Sequence, residues 1–402
     1  MSKSELIQMT KELLEHARND SMELADEVIA IPAKEYIDVD RYRSEVDFIY
    51  KRLPLMLAPS VELPEPGNFK AMDVVGVPVL LIRQKHGEVR AFLNTCTHRG
   101  NPIAQGVGTA ARFTCQYHGW TFGADGGLLG VASPQDFGSI DKASLCLKEF
   151  PVLERAGLIW VILDPGSQLS IEKFLCGYDK MLAHFGLENW HLFGTKRVEG
   201  PNWKMAFDGY LDLYHLPVLH AKVFGKMSNR THYFQWGPHQ RVTQPTSMRL
   251  DPSKGMIDLL KMEPQEWPLS SLMDGVWTIF PNVSVATFYG GGVSGVFISV
   301  LIPGPTVEES VTYQFYLMQS EPGDEKSRED AQRRFDDLEM VVREEDYATC
   351  KRQHKGLQSN LIDQILFGRN EGGNQRFHAW VSRILEMNDQ QLQETFEEYE
   401  AL

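Results

Sequence analysis

Cysteine, positive charge and long apolar runs are all scarce in this chain, and each scarcity removes a class of protein. Five cysteines in 402 residues cannot build a disulfide-stapled scaffold. A reducing cytoplasm is the expected compartment. The most apolar stretch, Val74–Ile82, is broken by Gly76 and Pro78 and is far shorter than the ~20 residues a membrane helix needs. Met1–Asp20 reads as a polar helix with a broken stripe of Leu6, Ile7, Met9, Leu13 and Leu14, not as the apolar core of a signal peptide. Lysine and arginine number 40 against 54 aspartates and glutamates, a formal net charge of −14. That balance argues against nucleic acid, which needs clustered cations. It also argues against an anionic membrane surface and favours solubility. No G-x-G-x-x-G stands at a strand–helix junction, so the chain is not expected to bind a nicotinamide cofactor itself.

What is present suggests more than one core. Apolar residues make up 43% of a length beyond the roughly 250–300 residues at which single cores stop growing. Residues 1–50 read as a mostly helical segment with turns at Pro32 and Asp38, packed on the second half of the chain. Residues 51–166 read as a small all-β domain. There Val77–Ile82 and Val89–Leu93 flank the turn Lys85-His86-Gly87, and Trp120–Phe122 and Leu128–Val131 flank Asp125-Gly126-Gly127. Leu158–Leu163 is its last strand. Residues 167–402 read as α+β. A helix over about 202–225, interrupted by Pro217, precedes four strands: Trp277–Phe280, Val283–Tyr289, Val296–Ile302 and Val311–Met318. A charged helix follows over about 324–354, and a last helix over about 375–387. The expected fold class is α+β: a small β domain, then an antiparallel sheet covered by helices.

The densest chemistry lies in the β domain. Cys96-Thr97-His98 is followed, with sixteen residues between, by Cys115-Gln116-Tyr117-His118. Each pair offers one thiolate and one imidazole from a tight loop. A [2Fe–2S] cluster with two Cys on one iron and two His on the other needs this donor set, and exchanging thiolates for neutral imidazoles raises its potential. The same four residues could instead hold zinc. Cys146, Cys176 and Cys350 lie outside the pattern and read as inert thiols.

A second donor set follows in Asp212-Leu213-Tyr214-His215-Leu216-Pro217-Val218-Leu219-His220. On a regular helix, His residues five apart point about 140° away from each other. Pro217 removes a backbone donor and biases Leu216 out of the helical region, and a break there could swing both imidazoles toward one point. Asp212, three residues before His215, would share its helical face and accept its second ring N–H. Two His ligands want a carboxylate to complete a facial triad for Fe(II). Spacing alone does not choose it among 54 acidic residues. His16, His86, His184, His191, His232, His239, His354 and His378 have no partner at metal spacing and read as surface or structural residues.

Taken together, Cys96-Thr97-His98-Arg99-Gly100, Cys115-Gln116-Tyr117-His118-Gly119-Trp120 and Pro201-Asn202-Trp203-Lys204 with Asp212, His215 and His220 resemble the α subunits of Rieske non-haem iron oxygenases. The resemblance spans roughly residues 60 to 380. It makes residues 51–166 a Rieske domain, with Cys96, His98, Cys115 and His118 on the [2Fe–2S] cluster. It makes residues 167–402 a START-like (helix-grip) catalytic domain carrying mononuclear non-haem Fe(II). The stretch Glu345-Asp346-Tyr347-Ala348-Thr349-Cys350 is similar to the family segment bearing the third iron ligand, which falls on Asp346. Phe207-Asp208 departs from the Glu-Asn that several ring dioxygenases carry there, leaving substrate and outcome open.

The resemblance also implies a way of working. The chain would be the terminal oxygenase of a multicomponent system. O2 and electrons from NAD(P)H, passed by a separate reductase and in some systems a ferredoxin, would oxidise a small hydrophobic, ring-containing substrate. O- or N-demethylation is the alternative outcome. A non-enzymatic Rieske carrier is a further reading, but it has no use for His215, His220 and Asp346 together. In the family, subunits form trimers, with or without a small β subunit. The cluster of one chain then faces the iron of the next, and Asp212 bridges His215 to His118 of the partner subunit. Candidate pocket walls are Phe207, Asp208, Leu211, Leu216, Phe280, Phe288 and Phe297.

Overall fold

Val77–Arg83 and Val89–Leu93 pair as antiparallel neighbours, with Val79 opposite Leu93 and Leu81 opposite Ala91, on either side of the expected turn. The structure, a computed structural model, describes residues 3–224, 228–244, 259–287 and 295–401. This hairpin joins Asn68–Val74, Gly106–Thr109 and Glu149–Phe150 in a five-stranded sheet. Thr121–Gly123 and Leu128–Gly130 form the second expected hairpin, with Arg112–Thr114 on its other edge. Leu158–Val161 pairs with Val152–Arg155 and with Leu55–Pro59. A small core of Leu80, Ile82, Phe92, Phe113, Trp120 and Phe122 seats the loops that carry Cys96 and Cys115.

The second half is built on a seven-stranded antiparallel sheet. Its order is His191–Gly200, Ser310–Met318, Gly295–Pro303, Val283–Ala286, Val276–Ile279, His239–Thr243, His232–Trp236. Four of these were expected; the run Val283–Tyr289 is a strand as far as Ala286, and Phe288 and Tyr289 lie outside the described residues. The other three are rich in charged and polar residues. Thr195, Arg197 and Glu199 are exposed and alternate with the more buried Lys196, Val198 and Gly200, so that strand lacks a continuous apolar signal.

The helical segments differ from expectation at both ends of the chain and in the charged helix, besides the region of Pro217 treated with the site below. The charged helix is continuous from Glu325 to Leu357, but Val341–Tyr347 winds as a π-helix. Gly372–Glu386 is not the last helix; Asp389–Ala401 follows it. The mostly helical first fifty residues also contribute a strand, Ile29–Pro32, paired with Gln364–Phe367. Among the described residues, no helix is long and apolar enough to cross a membrane.

The opening segment locks onto the start of the Trp203–Leu211 helix. Asn202 caps that helix by accepting from the Lys204 and Met205 N–H groups, and its own amide donates to Tyr36 and Val307 carbonyls. Lys204 and Glu45 form an ion pair from which water is excluded on both sides. Burial lowers the Lys204 pKa, and the Glu45 carboxylate opposes that fall. Glu45 also accepts from Trp203 Nε1 at 2.9 Å and Arg41 Nε at 3.1 Å. A buried charge satisfied by three donors is tolerable; removing one partner typically costs about 3–5 kcal/mol. This anchor fixes where the next residues of the helix, Asp208 to Asp212, emerge.

Candidate metal centres

The two Cys/His loops are built alike. The Cys96 N–H donates to the Asn101 carbonyl at 2.8 Å and the Cys115 N–H to the Trp120 carbonyl at 2.8 Å. The Gly100 and Gly119 N–H groups then donate back to Cys96 and Cys115 carbonyls. Both glycines have positive φ (81° and 70°), which closes each loop where a Cβ would be strained. Each sulfur accepts two backbone N–H groups, His98 and Arg99 onto Cys96, and Tyr117 and His118 onto Cys115. Burial opposes the thiolate at both sulfurs and leaves the Cys96 pKa raised, whereas these donors outweigh it at Cys115, whose pKa is lowered. The sulfurs are buried, while His98 and His118 are half-exposed with ring centroids 4.7 Å apart. His98 stacks on Trp120 at 4.9 Å, and its buried Nδ1 has no hydrogen-bond partner. Two adjacent thiols on the inner side and two imidazoles on the outer side, one with a free buried nitrogen, fit a cluster with two Cys on one iron and two His on the other.

The structure also brings His215, His220 and Asp346 into one group. His215 Nε2 and His220 Nε2 lie 3.6 and 3.1 Å from Asp346 Oδ1, and the three donor atoms are all within 4.8 Å of one another. The break that permits this is not at Pro217. The Trp203–Leu211 helix ends at Asp212, which is extended (φ −97°, ψ 108°). Leu216 is helical and starts a new turn, Leu216–Leu219, with Pro217 inside its first turn, where a missing N–H costs nothing. Asp212 therefore meets His215 through a turn and not along a helix face. One carboxylate oxygen accepts the Tyr214 N–H at 2.5 Å and the other faces His215 Nδ1 at 3.2 Å.

Sequence reasoning missed Glu345. Its carboxylate holds His220 Nδ1 at 2.6 Å, while the adjacent Asp346 faces Nε2 of the same ring. Burial works to lower the His220 pKa, but the two carboxylates raise it overall. Both sit in the π-helical turn, a feature common at functional sites. The available signal was two consecutive carboxylates in the ligand segment. The Nδ1 of each iron-site imidazole thus faces a carboxylate, which places the proton there and leaves Nε2 as the donor. Glu345→Ala is expected to weaken Fe(II) binding about 10–100-fold. Competition against a chelator measures it; unchanged affinity would show that His220 is oriented by packing alone.

A cavity of about 400 Å³ borders the centre, lined in part by Asp208, Asp212, His215, Asp346, Glu371 and Asn374. Of the pocket-wall candidates it includes Asp208. Phe207 instead stacks on Phe377 at 4.8 Å, Phe280 lies 5.8 Å from Phe377, and Phe297 stacks on Tyr316 at 4.3 Å. Leu211 and Leu216 are buried. Phe288 lies outside the described residues. Asp208 is held by three groups: the Tyr36 hydroxyl at 2.5 Å, His378 Nε2 at 2.9 Å and Asn374 Nδ2 at 3.2 Å. His378, read as surface or structural, is buried behind Asp208, which it contacts. Burial pushes the Cys176 thiol up to about 12 and raises Cys350 as well, so neither is activated.

A Cys2His2 cradle in one domain and a two-His, one-carboxylate cluster in the next define a Rieske-type non-haem iron protein. Residues 54–151 match the Rieske [2Fe-2S] domain model and residues 187–387 the ring hydroxylating alpha subunit (catalytic domain) model. The latter covers half of the chain, which belongs to that family; a Rieske cluster and a mononuclear non-haem iron are its cofactors. The chain is similar to the carnitine monooxygenase oxygenase subunit of Escherichia coli (strain K12), 29% identical over 48% of this chain and 53% of that one. It is also similar to the anthranilate 1,2-dioxygenase large subunit of Acinetobacter baylyi, 25% identical over 51% and 45%. The aligned part spans about half the length of these curated relatives. A quaternary ammonium Rieske monooxygenase solved with L-carnitine shares the fold, with a TM-score of 0.73 at 20% identity over 91% of this chain and 96% of that one.

Proposed function

We propose that the chain is the terminal oxygenase component of a multicomponent Rieske system in the cytoplasm, oxidising a small organic substrate with O2. Electrons come from NAD(P)H through a separate reductase, directly or by way of a ferredoxin. The observation that carries this reading is the iron-site geometry: one carboxylate oxygen near two imidazole Nε2 atoms whose Nδ1 atoms face carboxylates. Cys96, His98, Cys115 and His118 are the proposed cluster ligands, and His215, His220 and Asp346 the proposed iron ligands. When bound, the iron supplies open positions for O2 and the cluster supplies single electrons. The chain itself orients the donors, holds protons on the two Nδ1 atoms and closes the iron site into the fold. Similarity to a carnitine monooxygenase supports monooxygenation over ring dihydroxylation.

The same reading divides the chain at 1–50, 51–166 and 167–402 and makes it a homotrimer. Tyr214, Val218, Leu361, Ile362 and Leu366 are exposed apolar residues on or near the segments that line the cavity. Tyr117 and Phe137 are exposed beside the cluster imidazoles. Apolar residues left open at both places support docking of the Rieske tip of one chain over the iron site of the next. The test is metal content with spectroscopy. Purified protein is expected to be brown, with about three Fe per chain and a reduced-state EPR signal of the low average g that His ligation produces. About two Fe per chain would favour a carrier, and colourless zinc protein would sink the reading. An active monomer in solution would remove the trimer.

A further inference from the structure

The cavity beside the iron ligands has an acidic wall. Asp208, Asp212, Asp346 and Glu371 line it, and among the described residues no lysine or arginine does. A bound Fe(II) would offset two of those four charges and leave the cavity negative. Further anions are disfavoured there. Burial raises the Glu371 pKa, and the Asp212 and Asp208 carboxylates push it further up. Burial raises the Cys350 pKa as well, with Asp346 and Asp208 adding to it. Other parts of the lining are apolar, Met205, Leu219 and Phe367 among them. Ile362 and Leu366 line the cavity too and are exposed, so a chain docked on them would shut out water, and charge pairing strengthens as water leaves.

Acidity alone names no ligand, but two acceptor atoms narrow it. A carboxylate offers about four acceptor positions. At Asp208 three are used: Oδ2 accepts from the Tyr36 hydroxyl at 2.5 Å, while Oδ1 faces His378 Nε2 at 2.9 Å and accepts from Asn374 Nδ2 at 3.2 Å. The fourth position is on Oδ2, and the side chain is 17% exposed at the cavity lining. Asn374 lines the same cavity and is 1% exposed. Its Nδ2 donates to both the carbonyl and the carboxylate of Asp208, which fixes the other end of the amide as the oxygen. That Oδ1 is buried and has no partner. A buried acceptor left unpaired is costly, and a ligand that brings a donor removes the cost. Both acceptors and the surrounding charge therefore call for one kind of ligand, a cation with a hydrogen to donate. A carboxylate would meet like charge, and a hydrocarbon would leave both acceptors unpaired.

We propose that Asp208 and Asn374 are specificity-determining residues and that the substrate is a small protonated amine. Its N–H donates to Asp208 Oδ2 or Asn374 Oδ1, and its apolar group lies against the apolar part of the lining. This rests on the oxygenase reading above. The test uses three molecules of similar shape. N,N-dimethylbenzylamine, protonated at neutral pH, carries a charge and one N–H. Benzyltrimethylammonium carries the charge without the N–H, and isobutylbenzene carries neither. Titration calorimetry on wild type holding about three Fe per chain measures binding without turnover. The amine is expected to bind once per chain, about tenfold more tightly than the quaternary ion and more tightly still than the hydrocarbon. Asp208→Asn is expected to weaken the amine about tenfold and to leave isobutylbenzene unchanged. No binding of the amine, or binding of either other probe as tight as the amine, would overturn the proposal. So would an unchanged amine affinity in a variant that keeps its metals. If the variant loses its metals, the order of the three probes on wild type decides. O2 uptake driven by a surrogate reductase separates the two readings. An amine that binds in the expected order but stimulates no uptake counts against the oxygenase reading and leaves the preference for a protonated amine standing.

Discussion

Asp346→Ala is expected to empty the catalytic domain of iron while leaving the Rieske domain intact. Among the described residues, Asp346 is the anionic group facing both imidazole Nε2 atoms, at 3.6 and 3.1 Å. Without it, Fe(II) would meet two neutral nitrogens and no charge to offset its own. The nearby carboxylates cannot step in cheaply. Asp212 and Glu345 are turned toward the opposite ring nitrogens, and moving either would release the His it orients. Loss of an orienting carboxylate costs about 10–100-fold in metal affinity, so loss of a direct donor should exceed that. The cluster loops pack in a separate small core with their own backbone hydrogen bonds. The expected result is about two Fe per chain, an unchanged cluster EPR signal and no product. Three Fe per chain with normal turnover would place the third ligand elsewhere.

The contrast between Asp346 and the cluster residues shows what a sequence exposes. Cys96 with His98 and Cys115 with His118 are local pairs, each made by one tight loop, so spacing alone displays them. Asp212 and His215 meet within a single turn and were legible for the same reason, although the turn is irregular and not helical. Asp346 is distant in sequence and reaches the site only because the Glu325–Leu357 helix crosses the Trp203–Leu211 segment; resemblance, not spacing, pointed to it. Glu345 was hidden beside it because two adjacent carboxylates serve one imidazole only when the π-helical turn presents both. The trio of Tyr36, Asp208 and His378 joins three remote segments, and no pattern within any one of them announces it. Strand prediction followed the same divide. Apolar strands in the sheet centre were found, whereas His191–Gly200 was not, because its charged residues face solvent or ion partners.

The second large effect is expected at Asp212. In the fold it does two jobs at once, since one oxygen accepts the Tyr214 N–H and the other faces His215 Nδ1. It is partly exposed at the cavity wall, where a docked partner could reach it. Asparagine keeps the size and one acceptor. If that oxygen stays on Tyr214, the new amide N–H groups point at a ring nitrogen that already carries a proton, so donor faces donor. If the amide flips, the turn loses its bond. Either way the negative charge is gone. His215 keeps its Nε2, so the iron should stay bound, and the Rieske spectrum should not change. On the proposed trimer arrangement, Asp212 also accepts from His118 of the partner subunit, and that link would weaken together with the His215 contact. The fall in electron delivery between centres should therefore exceed the ~10–100-fold typical of a lost orienting group alone. The measurement is a single turnover: reduce the protein, add substrate and O2, and follow cluster reoxidation optically. Reoxidation at the wild-type rate with full product yield would rule out Asp212 as the bridge. Loss of iron together with the slow phase would instead assign it to supporting the iron site, because an empty site cannot accept electrons whatever the path to it.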